Sequence, residues 1–249
     1  MTNGPQRAVD AMPRIALVDL LRALALTNMT VFHFVWDLEF FGIVEPHTTD
    51  MALWRSFAAT IAGTFLFVSG ASLWLANSRQ IPWPRWGRRF AILVVAATAI
   101  TLVTRIVTPA EYIRFGILHM IAAASVLGLA FMRSPWWVTA VSAATIIAID
   151  QFVSWRSDSV YLFWTGFGRN EFAASDFRPV LPWLAPSVLG IAVAQLCHRA
   201  GWLKMLASWQ PESILARALQ SLGRRSLIYY LIHQPILFGL IWMGLRVFE

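Results

Sequence analysis

The sequence predicts an all-α fold, a polytopic integral membrane helical bundle with about seven transmembrane helices, and three observations carry that expectation. Of the 249 residues, 58% are hydrophobic and 13% charged, where an ordinary soluble domain has roughly 25% charged residues; the mean hydropathy is +0.60. Apolar runs able to supply the about 20 helical residues that cross hydrocarbon recur along the chain. The arginines collect in alternate connections between those runs.

The expected spans are 15–37, 52–76, 89–108, 115–132, 135–153, 180–197 and 225–246. The first opens in RIALVDLLRALAL, where Asp19 and Arg22 stand three residues apart, on one helical face. One reading is a local ion pair that lets the helix enter lipid cheaply; the other makes Arg22 a lining residue for an anionic ligand. The same helix ends in VFHFVWDLEFFG. At about 1.5 Å per residue from Arg14, His33 falls about 28 Å along the axis, near the far end of the span, with Asp37 one turn further on. Ionisable groups at such depth cost about 2.5 to 3.5 kcal/mol at a helix centre and point to function with a named partner. Asp37 is the partner expected for His33, accepting from one ring nitrogen and leaving the other as a base. The plainer reading is that Asp37 and Glu39 mark the water interface and His33 packs as a hydrogen-bonded core residue.

The second span contains TFLFVSGAS, whose Ser69, Gly70, Ala71 and Ser72 favour close helix approach. The following connection, SRQIPWPRWGRR, sets Arg79, Arg85, Arg88 and Arg89 beside Trp83 and Trp86. Such arginines serve as topogenic charge, and their forked donors also suit phosphate. The third and fourth spans meet in RIVTPAEYIRFGILHM, which brings Arg105, Arg114 and His119 to the same end as His33. The fourth span is short. After the fifth comes the longest connection, 154–179, with a turn-like WTGFGRNEF centre suited to lie over a cavity mouth. Asp176 and Arg178 precede a sixth span that opens with Pro179, Pro182 and Pro186. Gly223, Arg224 and Arg225 lead into the last span, SLIYYLIHQPILFG, with His233 about eight residues inside it.

Most of the basic residues that lie between spans fall on the side of the N-terminus, which makes that side cytoplasmic; with seven spans the C-terminus is then extracytoplasmic. One domain is expected over 1–249, with 1–13 as a cytoplasmic tail that lacks the apolar core of a cleaved signal, so the first span is read as retained. The pI near 10.7 is accounted for by inner loops facing anionic lipid, and no nucleic-acid partner is expected. A single cysteine, Cys197, excludes an internal disulfide and argues against a thiolate metal cluster; no metal is predicted.

In order along the chain, RIALVDLLRALAL with a histidine near the helix end, FLFVSGASLWL, RFGILHMIAAAS, DFRPVLPWLAPSVLGIAVAQ and LGRRSLIYYLIHQPILFG resemble the bacterial membrane proteins grouped with the heparan-alpha-glucosaminide N-acetyltransferase catalytic domain. The resemblance covers about 14 to 240. It implies a bacterial inner-membrane acyltransferase that takes an acetyl group from cytoplasmic acetyl-CoA and delivers it across the membrane. The partners implied are the lipid bilayer, acyl-CoA and an extracytoplasmic glycan or lipid-linked acceptor, with a homodimer as a candidate assembly. In the family's lysosomal enzyme the catalytic histidine follows the first span, where this chain has no aligned histidine and offers His47 a few residues away, so His33 and His47 both stand as the base.

The site expected on these grounds has His33 as general base and Asp37 as its orienting acid. Arg22, Arg88 and Arg89 are the expected acyl-CoA phosphate contacts, and Arg114, His119, Asp176, Arg178 and His233 the tunnel or acceptor groups. Three other classes compete. A haem carrier would draw on His33, His119 and His233 as paired ligands; a transporter would use intramembrane charge and the prolines of the sixth span; a structural subunit would need none of these side chains. A retinal protein is excluded, because the one lysine, Lys204, lies in a loop.

Overall fold

Inside hydrocarbon every backbone N–H and C=O must find a partner within the chain, and helices supply one segment by segment. A computed structural model describes residues 14–169 and 176–248; the expected tail 1–13 and part of the long connection lie outside the described residues. Among those described, the chain forms nine α-helices: α1 (Ala16–Phe40), α2 (Ala52–Asn77), α3 (Trp83–Val107), α4 (Ile117–Leu127), α5 (Trp136–Phe152), α6 (Val180–Arg199), α7 (Trp202–Ser208), α8 (Ile214–Arg224) and α9 (Ser226–Phe248). Helices α1, α2, α3, α6 and α9 are long and apolar enough to cross a membrane. The fourth and fifth expected spans are the shorter apolar helices α4, prolonged by a 3-10 turn over Gly128–Phe131, and α5. The protein is a multi-pass helical membrane bundle.

Helix limits follow local chemistry. Pro84 sits in the first turn of α3, and Pro135 and Pro179 immediately precede α5 and α6, positions where a missing N–H costs nothing. Ser213 caps α8 by accepting from the Ala216 N–H at 3.1 Å. Helices α7 and α8 correct the expectation of a plain loop between the last two spans. In α8, Gln220 and Gly223 are buried and Leu222 packs on the α1–α2 seam, while Ile214 and Leu215 at its start are exposed.

Helices α2 and α6 form the centre, with about half of each span buried, whereas α3 and α9 lie largely exposed to lipid. The small residues of TFLFVSGAS do what close packing requires. A side chain on Gly70 would strike the Ser187 carbonyl of α6, and one on Gly190 of α6 would strike the Phe67 carbonyl of α2, so the two backbones touch through a reciprocal glycine pair. Leu66, Met120 and Val188 fill the middle beside this contact, Leu93, Ala97 and Leu118 fill the α3–α4 seam, and Leu26, Met29 and Ile61 the α1–α2 seam. Tyr230 of α9 packs against all three groups.

Candidate active site

Helices α1 and α9 run parallel and are joined by a ladder of polar contacts. The hydroxyls of Thr30 and Tyr229 lie 2.7 Å apart, Nδ1 of His33 lies 3.1 Å from Nε2 of His233, and Nε2 of Gln234 donates to Oδ1 of Asp37 at 2.6 Å. A parallel first and last helix is what an odd number of crossings demands. With His33 level with His233, α9 starts about 15 Å further along the bundle than α1, and α8 fills the space below it. Among the described side chains of α9, His233 is the one that is buried: a helix otherwise largely open to lipid turns its imidazole inward.

The carbonyls around the pair assign its protons. Nδ1 of His233 donates to the Tyr230 carbonyl at 2.8 Å, and Nδ1 of His33 faces the Met29 carbonyl at 3.1 Å. A carbonyl only accepts, so both Nδ1 atoms carry hydrogen. Nε2 of His233 then holds a lone pair and accepts from Nδ1–H of His33, a hydrogen shared with Met29. Nε2 of His33 is left with a lone pair, the arrangement of a base. Tyr229 stacks on His233 with ring centroids 5.9 Å apart and planes 9° apart, which fixes the second ring.

Asp37 therefore does not orient His33 as its spacing suggested; His233 does, and Asp37 takes Gln234 instead. Asp37 is fully buried, and its Oδ2 has no partner among the described residues. As a haem pair these two nitrogens do not serve: trans axial ligands that each bind at about 2.0 Å stand about 4 Å apart on opposite faces of the ring, whereas these lie 3.1 Å apart with a hydrogen between them.

Toward the other end of α1 the carboxylate of Asp19 is buried beneath three arginines. Arg14 Nε approaches it at 2.8 Å, Arg22 Nη1 at 3.0 Å and Arg224 Nε at 3.5 Å. A side chain on Gly223 would strike the Asp19 carbonyl, so the α8–α9 junction sits directly on this point. Arg22 also donates through Nη2 to Ser72 Oγ of α2, which holds its guanidinium in one place. The local ion pair and the lining role foreseen for Arg22 coexist. It borders a cavity of about 490 Å³ together with Arg85, Arg88 and Arg89 of α3, while Phe65, Leu118, Ile121 and Tyr230 supply apolar wall further in. Four guanidinium groups at one end and apolar side chains beyond suit a ligand with phosphates at one end and a slender chain at the other.

The remaining predicted residues gather at the start of α4. Asp176 Oδ2 accepts from the Ile117 N–H at 2.9 Å, Nδ1 of His119 accepts from the Gly116 N–H at 3.3 Å, and Nε2 of His119 faces Thr101 Oγ1 at 3.3 Å. Both side chains thus satisfy orphan donors at a helix start. Arg178 lies 3.5 Å from Asp176 and stacks on Trp183 at 4.8 Å; Arg114 lies over Tyr112 at 4.6 Å. These contacts give His119 and Asp176 a structural task where acceptor contacts were expected. The group borders the same cavity through Ile117.

His47 is exposed in the loop after α1. Its N–H donates to Glu39 Oε1 at 2.6 Å and its Nδ1 lies 2.8 Å from Asp50 Oδ2; the carboxylate of Asp50 holds the imidazole above its ordinary pKa. Glu39, which also accepts from Thr49, fastens this loop to α1. Of the long connection, Gly166, Gly168 and Arg169 line a second cavity of about 520 Å³ with Asp150, Arg156 and Trp183; 170–172 of its turn-like centre lie outside the described residues.

Sequence reasoning missed Gln234, Tyr229 and Tyr230, the partners of Asp37, Thr30 and the cavity wall. The signal was present, since IYYLIHQ puts two phenols, an imidazole and an amide within one apolar span, and intramembrane polar groups ask for partners. Neither the curated proteins nor the solved structures provide a match to the chain. Residues 14–235 match the family described as heparan-alpha-glucosaminide N-acetyltransferase, catalytic, and the chain, a multi-pass helical membrane protein, belongs to that family.

Proposed function

We propose that this protein is a membrane acetyltransferase of the bacterial inner membrane. It takes its acyl group from acetyl-CoA on the cytoplasmic, arginine-rich side and passes it to a sugar amine or hydroxyl, free or lipid-linked, on the far side. The observation that carries this reading is the single cavity that begins at Arg22, Arg85, Arg88 and Arg89 and reaches Tyr230, whose own carbonyl holds His233 against His33. The N-terminus is cytoplasmic on this reading, because the arginines mark the inner face.

Acetyl-CoA supplies an activated carbonyl and a thiolate leaving group. Arg88 and Arg89 neutralise phosphate oxygens with charge-assisted hydrogen bonds, and Arg22, held by Asp19 and Ser72, presents its charge without reorganising. The apolar wall at Leu118 and Ile121 excludes water from the slender arm. His33 takes the acceptor's proton on Nε2 as the nucleophile attacks. The charge that develops on its ring is shared through Nδ1 with the lone pair of His233, which stands where a carboxylate stands in other base pairs.

Transfer of radiolabelled acetyl from acetyl-CoA to glucosamine and to lipid-linked sugars, measured on purified protein in proteoliposomes, tests the reading. Label in an acceptor with wild type and its loss with His33→Ala is the expected result; label in no acceptor of either kind overturns it.

A further inference from the structure

One side chain belongs to both halves of the site. Tyr230 lines the cavity, lies one helical turn before His233 with ring centroids 5.9 Å apart, and meets Phe65 edge-on at 6.5 Å. Its ring is wedged among the core side chains of α1, α2, α3 and α4, so its position is over-determined. No hydrogen bond of its hydroxyl is found among the described residues, unlike that of its neighbour Tyr229, which is engaged with Thr30, and the residue, half-buried, opens on the cavity. A phenol O–H held on a cavity wall by a packed ring is open to a hydrogen bond with whatever fills that cavity.

We propose that Tyr230 is a catalytic residue, the hydrogen-bond donor to the thioester carbonyl oxygen of the acyl donor; this rests on the acetyltransferase reading and deepens it. In the transfer step the acceptor's lone pair forms the new bond to the carbonyl carbon. The C–S bond breaks with its electron pair on sulfur, and the acceptor's proton passes to Nε2 of His33. Negative charge grows on the carbonyl oxygen as this happens, and the Tyr230 hydroxyl faces it from a ring held in place by its packing. Removing one such donor costs about 10²- to 10³-fold in turnover. Phe65, Ile117, Leu118 and Ile121, which line the cavity with it, are apolar and carry no side-chain donor.

The test compares wild type with Tyr230→Phe, a change that keeps the ring and its packing. Acetyl-CoA labelled with ¹³C at the carbonyl is bound to each protein without acceptor, and the thioester carbonyl stretch is read by isotope-edited infrared difference spectroscopy. Affinity is read by calorimetry and single-turnover transfer by rapid quench. The expected result is a carbonyl stretch lowered in wild type and returned toward its free value in Tyr230→Phe, with affinity within about threefold and transfer slowed by about 10²-fold or more. An unshifted stretch in wild type that nevertheless transfers acetyl, or a Tyr230→Phe protein that transfers at the wild-type rate, overturns the assignment to Tyr230 and leaves the acetyltransferase reading standing. Parallel loss of affinity and transfer in Tyr230→Phe also overturns it, because the hydroxyl would then serve ground-state binding. Wild-type protein that neither binds nor transfers overturns the acetyltransferase reading itself, and this inference with it.

Discussion

Nε2 of His233 lies 3.1 Å from Nδ1 of His33, two residues separated by 200 positions in the chain, and the carbonyls beside them require that His33 be the donor in that contact. The relation makes distinct predictions for the two residues. His33→Ala removes the base and lowers turnover by about 10²- to 10⁴-fold. His233→Ala leaves the base in place without its anchor, so turnover falls by a smaller factor and the pH profile of kcat moves, because the ring that accepted from Nδ1 of His33 no longer biases its protonation. Steady-state rates across pH for the two variants separate the roles; equal losses with unchanged profiles would contradict the assignment.

Asp37 gives the converse expectation. Were it the orienting acid of His33, replacing it by an amide would cost about 10⁴-fold, as for the aspartate of a serine protease triad. Its observed partner is Gln234, so Asp37→Asn should lower turnover by less than about tenfold. Gln234→Leu strips the partner from a buried carboxylate and should destabilise the fold by about 1 to 3 kcal/mol. Thermal unfolding in detergent together with the transfer rate distinguishes the two cases.

This pair also shows where the sequence stopped being informative. The four-residue spacing of His33 and Asp37 placed both on one face of α1, and the structure keeps them there; what spacing within one helix does not reveal is the facing helix. Residues 233 and 234 meet the two side chains separately because α9 is set back along α1 by about 15 Å, and that register comes from α8 lying beneath it. Helix α8 was legible in part: Ile214, Leu215, Ala218, Leu219 and Leu222 form a helical stripe behind a Ser213 cap, but 11 residues are too few for a span and were read as loop. Arg22, Arg88 and Arg89 sit at the same end of their spans in any helical reading, and one cavity wall holds all three. His119 and Asp176 were drawn to the site by charge alone; the need of α4 for donors' partners at its start decides their contacts.

His47 tests the alternative base. Its imidazole is exposed and tied to Asp50, and its neighbour Glu39 secures the loop. His47→Ala should leave acetyl transfer within about threefold of wild type, since a loss confined to an exposed surface pair is small. The pKa of His47 is raised, so its contact with Asp50 is complete below about pH 6.5 and is lost as pH rises through the raised value. Its Cε1–H resonance, followed by NMR, should titrate above that of a free imidazole, and a depressed midpoint would contradict the contact.

The α2–α6 contact makes a prediction about stability alone. A methyl on Gly70 or Gly190 meets backbone carbonyl oxygen, which cannot swing aside as a side chain can. Gly70→Ala and Gly190→Ala should each cost about 1 to 3 kcal/mol, read as a lowered unfolding midpoint in detergent. Gly63→Ala, on the same α2 helix with open space around it, should be neutral or slightly stabilising.

The claim on which the account rests is that phosphates of the acyl donor enter at the arginines of α3 and the carbonyl reaches the histidine pair. Calorimetric titration of acetyl-CoA into purified wild type and the Arg88→Ala/Arg89→Ala double variant tests it most directly, because neither arginine takes part in the Asp19 cluster. The account predicts saturable binding to wild type, weakened in the double variant by at least about tenfold, the loss of one charge-assisted hydrogen bond of about 1.5 kcal/mol. Equal affinity in the two proteins, or no heat from wild type at millimolar acetyl-CoA, would contradict it.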